Sequence, residues 1–190
     1  MKKSKVETAE TRRRIVEAAA REFRRNGIHA TGLAEVMAAA GLTHGGFYRH
    51  FESKDRLVAE ACAAGMKSVV DSAEEAACEC GGKGGLAAIV KSYLSTDHRD
   101  DRMDGCPLAG LGSELARADE ETREAAAAGF LKLLAVITKQ IRRRNSEAAR
   151  SDAVFALSAM VGAVTMSRIV ADPDLSLAIL RDTQKHLADV

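Results

Sequence analysis

The chain has no tryptophan, two prolines, five Phe and two Tyr among 190 residues. Ala, by contrast, occupies 35 positions, mostly in helix-periodic stretches, so all-β and Rossmann architectures are disfavoured. Four cysteines, Cys62, Cys78, Cys80 and Cys106, are too sparse and irregular for a disulfide framework and point to a reducing cytoplasm. No uncharged apolar run reaches the roughly 18 residues a membrane span needs; the longest, near 155–167, contains Ser and Thr. No apolar stretch follows Lys2, Lys3 and Lys5, so no secretory signal is expected. A mass of 20.2 kDa allows one ordinary domain, or a small module with a medium one.

An excess of one charge is also missing overall, since 28 Lys+Arg face 27 Asp+Glu. The balance hides an asymmetry. Residues 1–60 carry 12 basic and 8 acidic side chains, net +4, and the remaining 130 carry 16 and 19, net −3. A basic head on a slightly acidic body suggests a polyanion as partner of the head alone.

What is present is helical periodicity. A first helix is expected from about Thr8 to Asn26, with Ile15, Ala19 and Phe23 on one face and a stop at Asn26-Gly27. A short helix from about Leu33 to Ala40 follows, capped by Gly32 or Thr31 and closed by Gly41. Thr43 then opens a third helix of barely two turns, His44-Gly45-Gly46-Phe47-Tyr48-Arg49-His50. Two adjacent glycines cost a helix roughly 1 kcal/mol each, so this segment needs support from elsewhere. Longer helices are expected at about 53–78, 86–95, 107–117, 120–144, 146–171 and from Pro173 onward, with Arg142, Arg143 and Arg144 complementing a helix dipole. The 97–102 segment reads as a solvated loop and Gly81–Gly85 as a flexible connection, without the order of a phosphate loop. The expected fold is all-α, about nine helices, with a three-helix head (1–52) on a helical bundle (53–190).

The two short helices are joined by Gly41-Leu42-Thr43, the pattern of a helix-turn-helix. The second of such helices fits the major groove, about 12 Å wide, with its N-terminal residues facing base edges. Gly45 and Gly46 remove bulk where a backbone must approach bases, and His44 can read a base edge. Tyr48, His50 and Lys54 fall on flanks where phosphates lie, and Lys54 opens a helix whose N-terminus favours an anion. A helical hairpin with a solvated charged face accounts for the same pattern without DNA.

The run Thr31 to Leu57 closely resembles the DNA-binding signature of TetR-family transcriptional regulators, most specifically in Phe47-Tyr48-Arg49-His50-Phe51-Glu52-Ser53-Lys54. Gly32 departs from the family's usual Thr or Ser cap. The resemblance implies a homodimeric repressor on a near-palindromic double-stranded operator, contacting DNA through Thr43, His44, Gly45, Gly46, Tyr48, Arg49, His50 and Lys54. It implies a dimer interface of the last two helices, here with Phe155, Ala159, Gly162, Ala163, Leu175 and Ile179. It further implies a cavity for a small-molecule effector, with Met66, Val69, Ile89, Tyr93, Leu108, Leu111, Phe130 and Leu134 as lining candidates.

Cys106 precedes Pro107 at a helix start, where a thiol pKa can fall. Gly105-Cys106-Pro107 looks like the segment of TetR-family members that sense electrophiles through one cysteine, with Arg168 or His98 as a cationic neighbour. A buried inert thiol is the plain alternative. Cys78-x-Cys80 has poor metal-ligand spacing, so no metal and no cofactor are expected. Competing functions are a small helical thiol enzyme, for which no base or resolving thiol is evident, and an interaction module without DNA.

Overall fold

A computed structural model of the chain describes residues 5–79, 84–142 and 145–188. Among them are nine α-helices, one 3-10 helix and no strand. α1 (Lys5–Asn26), α2 (Leu33–Ala39) and the 3-10 helix (His44–Arg49) form the head. α3 (Lys54–Glu79) starts in the head and runs into a body of α4 (Gly85–Tyr93), α5 (Thr96–Asp100), α6 (Pro107–Leu115), α7 (Glu120–Gln140), α8 (Ser146–Ile169) and α9 (Pro173–Leu187).

The body helices begin where side chains satisfy their orphan N–H groups. Asp119 Oδ1 accepts from the Thr122 N–H at 3.0 Å, Asn145 Oδ1 from Glu147 at 2.8 Å, and Asp172 Oδ1 from Asp174 at 3.0 Å. Pro107 and Pro173 occupy the first turns of α6 and α9, where a missing N–H costs nothing. Gly32 caps α2 and, lacking a side chain, supplies only half of a capping box: its N–H donates to Glu35 Oε2 at 2.8 Å. Thr31 is fully buried instead, its hydroxyl donating to the Gly27 carbonyl at 2.7 Å.

Three expectations need correction. The 44–49 segment is a 3-10 helix, because two glycines and six residues are too few to sustain α geometry. The 97–102 segment is solvated as expected, with Asp97, Asp100, Asp101 and Arg102 exposed, but its first part is helix rather than loop: Ser95 caps α5 through the His98 N–H at 3.1 Å. Arg168 of α8 closes its other end, with Nη2 on the His98 carbonyl at 2.7 Å and Nε on the Arg99 carbonyl at 2.9 Å. α7 stops at Gln140 because Ile141 turns extended, so Arg142 lies beyond the helix; Arg143 and Arg144 fall outside the described residues, as do Cys80 and residues 81–83 of the glycine-rich connection.

One buried cluster runs through head and body, from Ile15, Phe23 and Phe47 to Leu157 and Leu180. Its axis is the packing of α3 on α7. Leu57, Val58, Ala61, Cys62 and Met66 of α3 are buried, as are Leu133, Leu134 and Ile137 of α7. The helices meet closely at Gly129, where an added Cβ would clash with the Met66 Cβ. By length and composition α8 could cross a membrane, but Ala153, Ala156, Leu157, Met160 and Val164 of that helix are buried in the body.

Since a Met66 Cβ cannot move without moving α3, Gly129→Ala is expected to overpack the interface. A loss of about 1–3 kcal/mol in chemical denaturation is the expected outcome; unchanged stability would show that α3 and α7 can separate freely.

Candidate functional site

The head exposes the 3-10 helix because the turn before it and the rings beneath it leave no choice. α2 ends with Gly41 at φ +69°, while the Leu42 N–H donates to the Met37 carbonyl at 2.8 Å. A side chain at 41 would be strained there and would meet Arg14 Nη2 at 3.2 Å. Phe47 and Phe51 are buried and stacked with centroids 5.6 Å apart, and the Arg12 guanidinium covers the Phe51 ring at 4.3 Å. These rings hold the segment that glycine cannot hold by propensity.

Thr43, His44, Gly45, Tyr48 and Arg49 consequently face outward, Tyr48 with 68% of its surface exposed. A Cβ at Gly45 would meet nothing within 4 Å, and one at Gly46 only Met37 Cε at an ordinary 3.6 Å. Neither glycine has positive φ. Packing and backbone conformation therefore do not require glycine at 45.

Two expected phosphate ligands are placed differently. Lys54 Nζ donates to the Ile28 and Thr31 carbonyls, both at 2.7 Å, so its ammonium braces the α1–α2 connection and does not point outward. Charge-assisted bonds to two carbonyls outcompete a solvated position. His50 is half-buried, with Nδ1 inside the protein and its carbonyl accepting from Arg12 Nε at 3.3 Å. The periodicity placed these residues near the groove but could not say which way they turn.

Sequence reasoning also missed the ties between head and body. Arg12 of α1 forms a two-pronged pair with Glu60 of α3, which also meets Arg56 at 3.1 Å; Arg56 in turn pairs with Glu121 of α7. Hydrogen bonding to Arg12 holds the Glu60 carboxyl below the usual carboxylate range. A second tie joins α1 to the segment before α6. Arg24, with a side chain 6% exposed, lies against Gly65, donates from Nε to the Met103 carbonyl at 2.6 Å and pairs with Asp104 at 3.5 Å. Arg21 reaches the same Asp104 at 3.0 Å. The basic excess of the head was legible; the partners of these arginines, about fifty to eighty positions away, were not.

The body contains an open cavity of about 410 Å³ between α3, α4 and the 95–105 segment. Val69, Ile89 and Tyr93 line it, as expected. Met66 and Leu134 do not: both are fully buried in the core, and Phe130 packs against that core. Leu111 belongs to a small gap beneath α1, and neither Leu108, Cys106 nor Arg168 borders the cavity. The remaining wall is polar: Ser68, Ser72, Ser92, Ser95, Asp97, His98, Asp101 and Asp104. The i, i+4 pairs Ser68/Ser72 and Asp97/Asp101 were the available signal, hidden because 97–102 read as surface.

Cys106 is fully buried at the cap position of α6, and burial pushes its thiol up, overriding the contributions of Tyr93 and of the α6 backbone that favour the thiolate. The expected lowering at a helix start is thus reversed by desolvation. His98 is not a cationic neighbour. Its Nε2 accepts the Cys106 N–H at 3.0 Å, so the proton sits on Nδ1, 2.6 Å from the Tyr93 carbonyl, and the ring is neutral. Arg168 is the cation whose charge favours the thiolate, with its hydrogen bonds spent on α5. Cys62 is buried too and its thiol is raised to about 11; Cys78 is exposed. Among the described residues no group of His, Cys, Asp and Glu has metal-binding geometry.

A third surface is apolar. Phe155 (60% exposed), Met166, Ile169 and Leu175 stand out from α8 and α9, with half-buried Ala159, Gly162 and Ile179 between them. A Cβ on Gly162 would meet nothing in this chain. Ala163, expected on this face, is buried in the core.

Comparison with known proteins agrees with this geometry. Residues 15–61 match the family described as "Bacterial regulatory proteins, tetR family", and residues 84–183 match "Transcriptional regulator LmrA/YxaF-like, C-terminal domain". The transcriptional regulator AcrR of Shigella flexneri is 42% identical over 59 residues, 31% of this chain and 27% of that protein, so the match spans about a quarter of that relative. An uncharacterized HTH-type transcriptional regulator of Mycobacterium tuberculosis is 30% identical over 175 residues, 85% of this chain and 86% of that one. The crystal structure of a TetR transcriptional regulator from Chloroflexus aurantiacus has a TM-score of 0.79 and 27% identity, covering 96% of this chain and 94% of that chain.

His98 makes the stability pH-dependent with a definite sign. Burial lowers its pKa from 6.5, so below that pH the unfolded chain takes up a proton the folded one resists. Stability conferred by the neutral ring is complete above about 6.5 and declines as pH falls below it. Denaturation midpoints of wild type should drop between about pH 7 and 5, and less so for His98→Gln; parallel profiles would refute the assignment.

Proposed function

Because this chain belongs to the TetR family of helix-turn-helix transcriptional regulators, we propose that it is a homodimeric repressor released from a near-palindromic operator by a small molecule in the body cavity. Its head (1–52) reads DNA and its body (53–190) dimerises and senses; its place of action is the cytoplasm. The observation that carries the reading is the exposed, side-chain-poor 3-10 helix, held by Phe47 and Phe51, with Gly45 facing open space where a side chain would meet nothing of this protein. Bare backbone at an outward surface is useful when another molecule must come close. Thr43, His44, Gly45 and Gly46 face the bases, and Tyr48 and Arg49 the phosphates. Lys54 acts by bracing the head, while the α3 N-terminus it opens attracts a phosphate.

Two heads must sit about 34–36 Å apart to read successive major grooves, which requires a fixed pairing of bodies. The α8–α9 face suits that task. Its rim carries Phe155, Met166, Ile169 and Leu175, and its middle carries Ala159 and Gly162, small enough for close approach by a second copy. Release by modification of Cys106 is the weaker route, since its thiol is buried and its pKa raised.

Gly45→Ala separates fold from function. Its stability should equal or exceed wild type by up to about 1 kcal/mol, while affinity for a fragment of its own promoter, read by fluorescence anisotropy, should fall at least about tenfold. Retained affinity would remove the 3-10 helix from the groove. The double change Phe155→Asp with Met166→Asp should give a folded monomer in analytical ultracentrifugation that binds the fragment weakly; an unchanged dimer would place the interface elsewhere.

A further inference from the structure

The body cavity combines three features. One wall is apolar and aromatic, with Val69, Ile89 and Tyr93. The lining also includes the solvent-exposed Asp97, Asp101 and Asp104, and no lysine or arginine borders the space among the described residues. Tyr93 itself is 7% exposed, and its hydroxyl is buried and turned to the Cys106 sulfur rather than to the cavity.

Charges near the cavity are already allocated. Asp104 is taken by Arg21 and Arg24, and Asp101 Oδ1 accepts the Met103 and Asp104 N–H groups, each at 3.0 Å. Arg168 is spent on the α5 carbonyls. Asp97 and the second oxygen of Asp101 remain in the lining. These groups do not converge as metal ligands do. Spread carboxylates beside an aromatic and aliphatic wall match a delocalised or bulky charge on an apolar body.

We propose that the effector is an organic cation with an apolar body, and that it acts through the 101–105 segment. This deepens the regulator reading and rests on it. The segment serves two structures at once. It forms the acidic rim of the cavity, and it anchors α1 of the head through Arg21 and Arg24 on Asp104 and Arg24 on the Met103 carbonyl. A cation seated against Asp101 and Asp104 competes with the two arginines for the same carboxylate and loosens the head from the body. An anionic effector meets carboxylates and no lining cation here. By linkage, whatever factor the ligand takes from DNA affinity, DNA takes from ligand affinity.

Tetraphenylphosphonium and tetraphenylborate test this, being alike in size and shape and opposite in charge. Calorimetry on the full chain without DNA should show the phosphonium binding at least tenfold more tightly than the borate. Asp97→Asn with Asp101→Asn, which keeps an acceptor oxygen at 101, should remove most of that preference with the helical circular dichroism unchanged. Saturating phosphonium should weaken promoter binding at least fivefold, and Asp104→Asn should blunt this response. Equal or tighter borate binding, or a preference that survives the double substitution, overturns the proposal. Promoter binding by the ligand-free protein is read separately: a chain that binds DNA but ignores the phosphonium keeps the regulator reading and loses this one, and a chain that binds no DNA loses the regulator reading.

Discussion

A single 26-residue helix belongs to both halves of this molecule, and its seating against α7 is the constraint on which the rest depends. α3 begins beneath the head and ends in the body. A rod of that length is about 39 Å long and does not bend without a kink. Where Gly129 admits Met66, the two helices approach so closely that their relative position is determined to within a side chain. Head orientation is therefore a property of the body. The Arg12–Glu60–Arg56–Glu121 chain of ion pairs reinforces this at the near end of α3, and Arg24 does so further along, beside Gly65.

Glycine plays opposed parts in the same chain. At 41 the backbone is left-handed, and at 65 and 129 a neighbour occupies the space a Cβ would fill. Those are internal demands, and a substitution there is felt by the fold. At 45 and 162 nothing in the chain objects to a side chain. One of these positions lies on the segment proposed to enter the DNA groove and the other on the apolar face proposed to meet a second copy. Internal and external reasons for glycine look alike in a sequence, and only the space around each one separates them.

The cavity shows why a regulator's body is harder to read than its head. Apolar residues at helical spacing are shared by cores and cavities, so Met66, Phe130 and Leu134 were as reasonable as Val69, Ile89 and Tyr93. Which of them borders open space depends on how α3, α4 and α7 sit together, and the polar half of the wall comes from a segment whose composition reads as surface. Cys106 followed the same logic. A cysteine before a helix-initiating proline carries a local tendency toward the thiolate, and complete burial under α5 and α8 reverses it.

Local chemistry was enough to specify the all-helical class, most helix boundaries, the Gly41 turn and the signature from Phe47 to Lys54, because caps, glycines and periodicity act within a few residues. It also marked 43–50 as the segment offered to a DNA groove, of which Thr43, His44, Gly45, Tyr48 and Arg49 are exposed. The direction of the Lys54 ammonium, the neutral state of His98, the helical form of 96–100 and the joining of α1 to the cavity rim through Asp104 came from tertiary structure alone. Each depends on partners up to eighty positions distant in the chain, whose meeting is decided by packing rather than by neighbours in sequence.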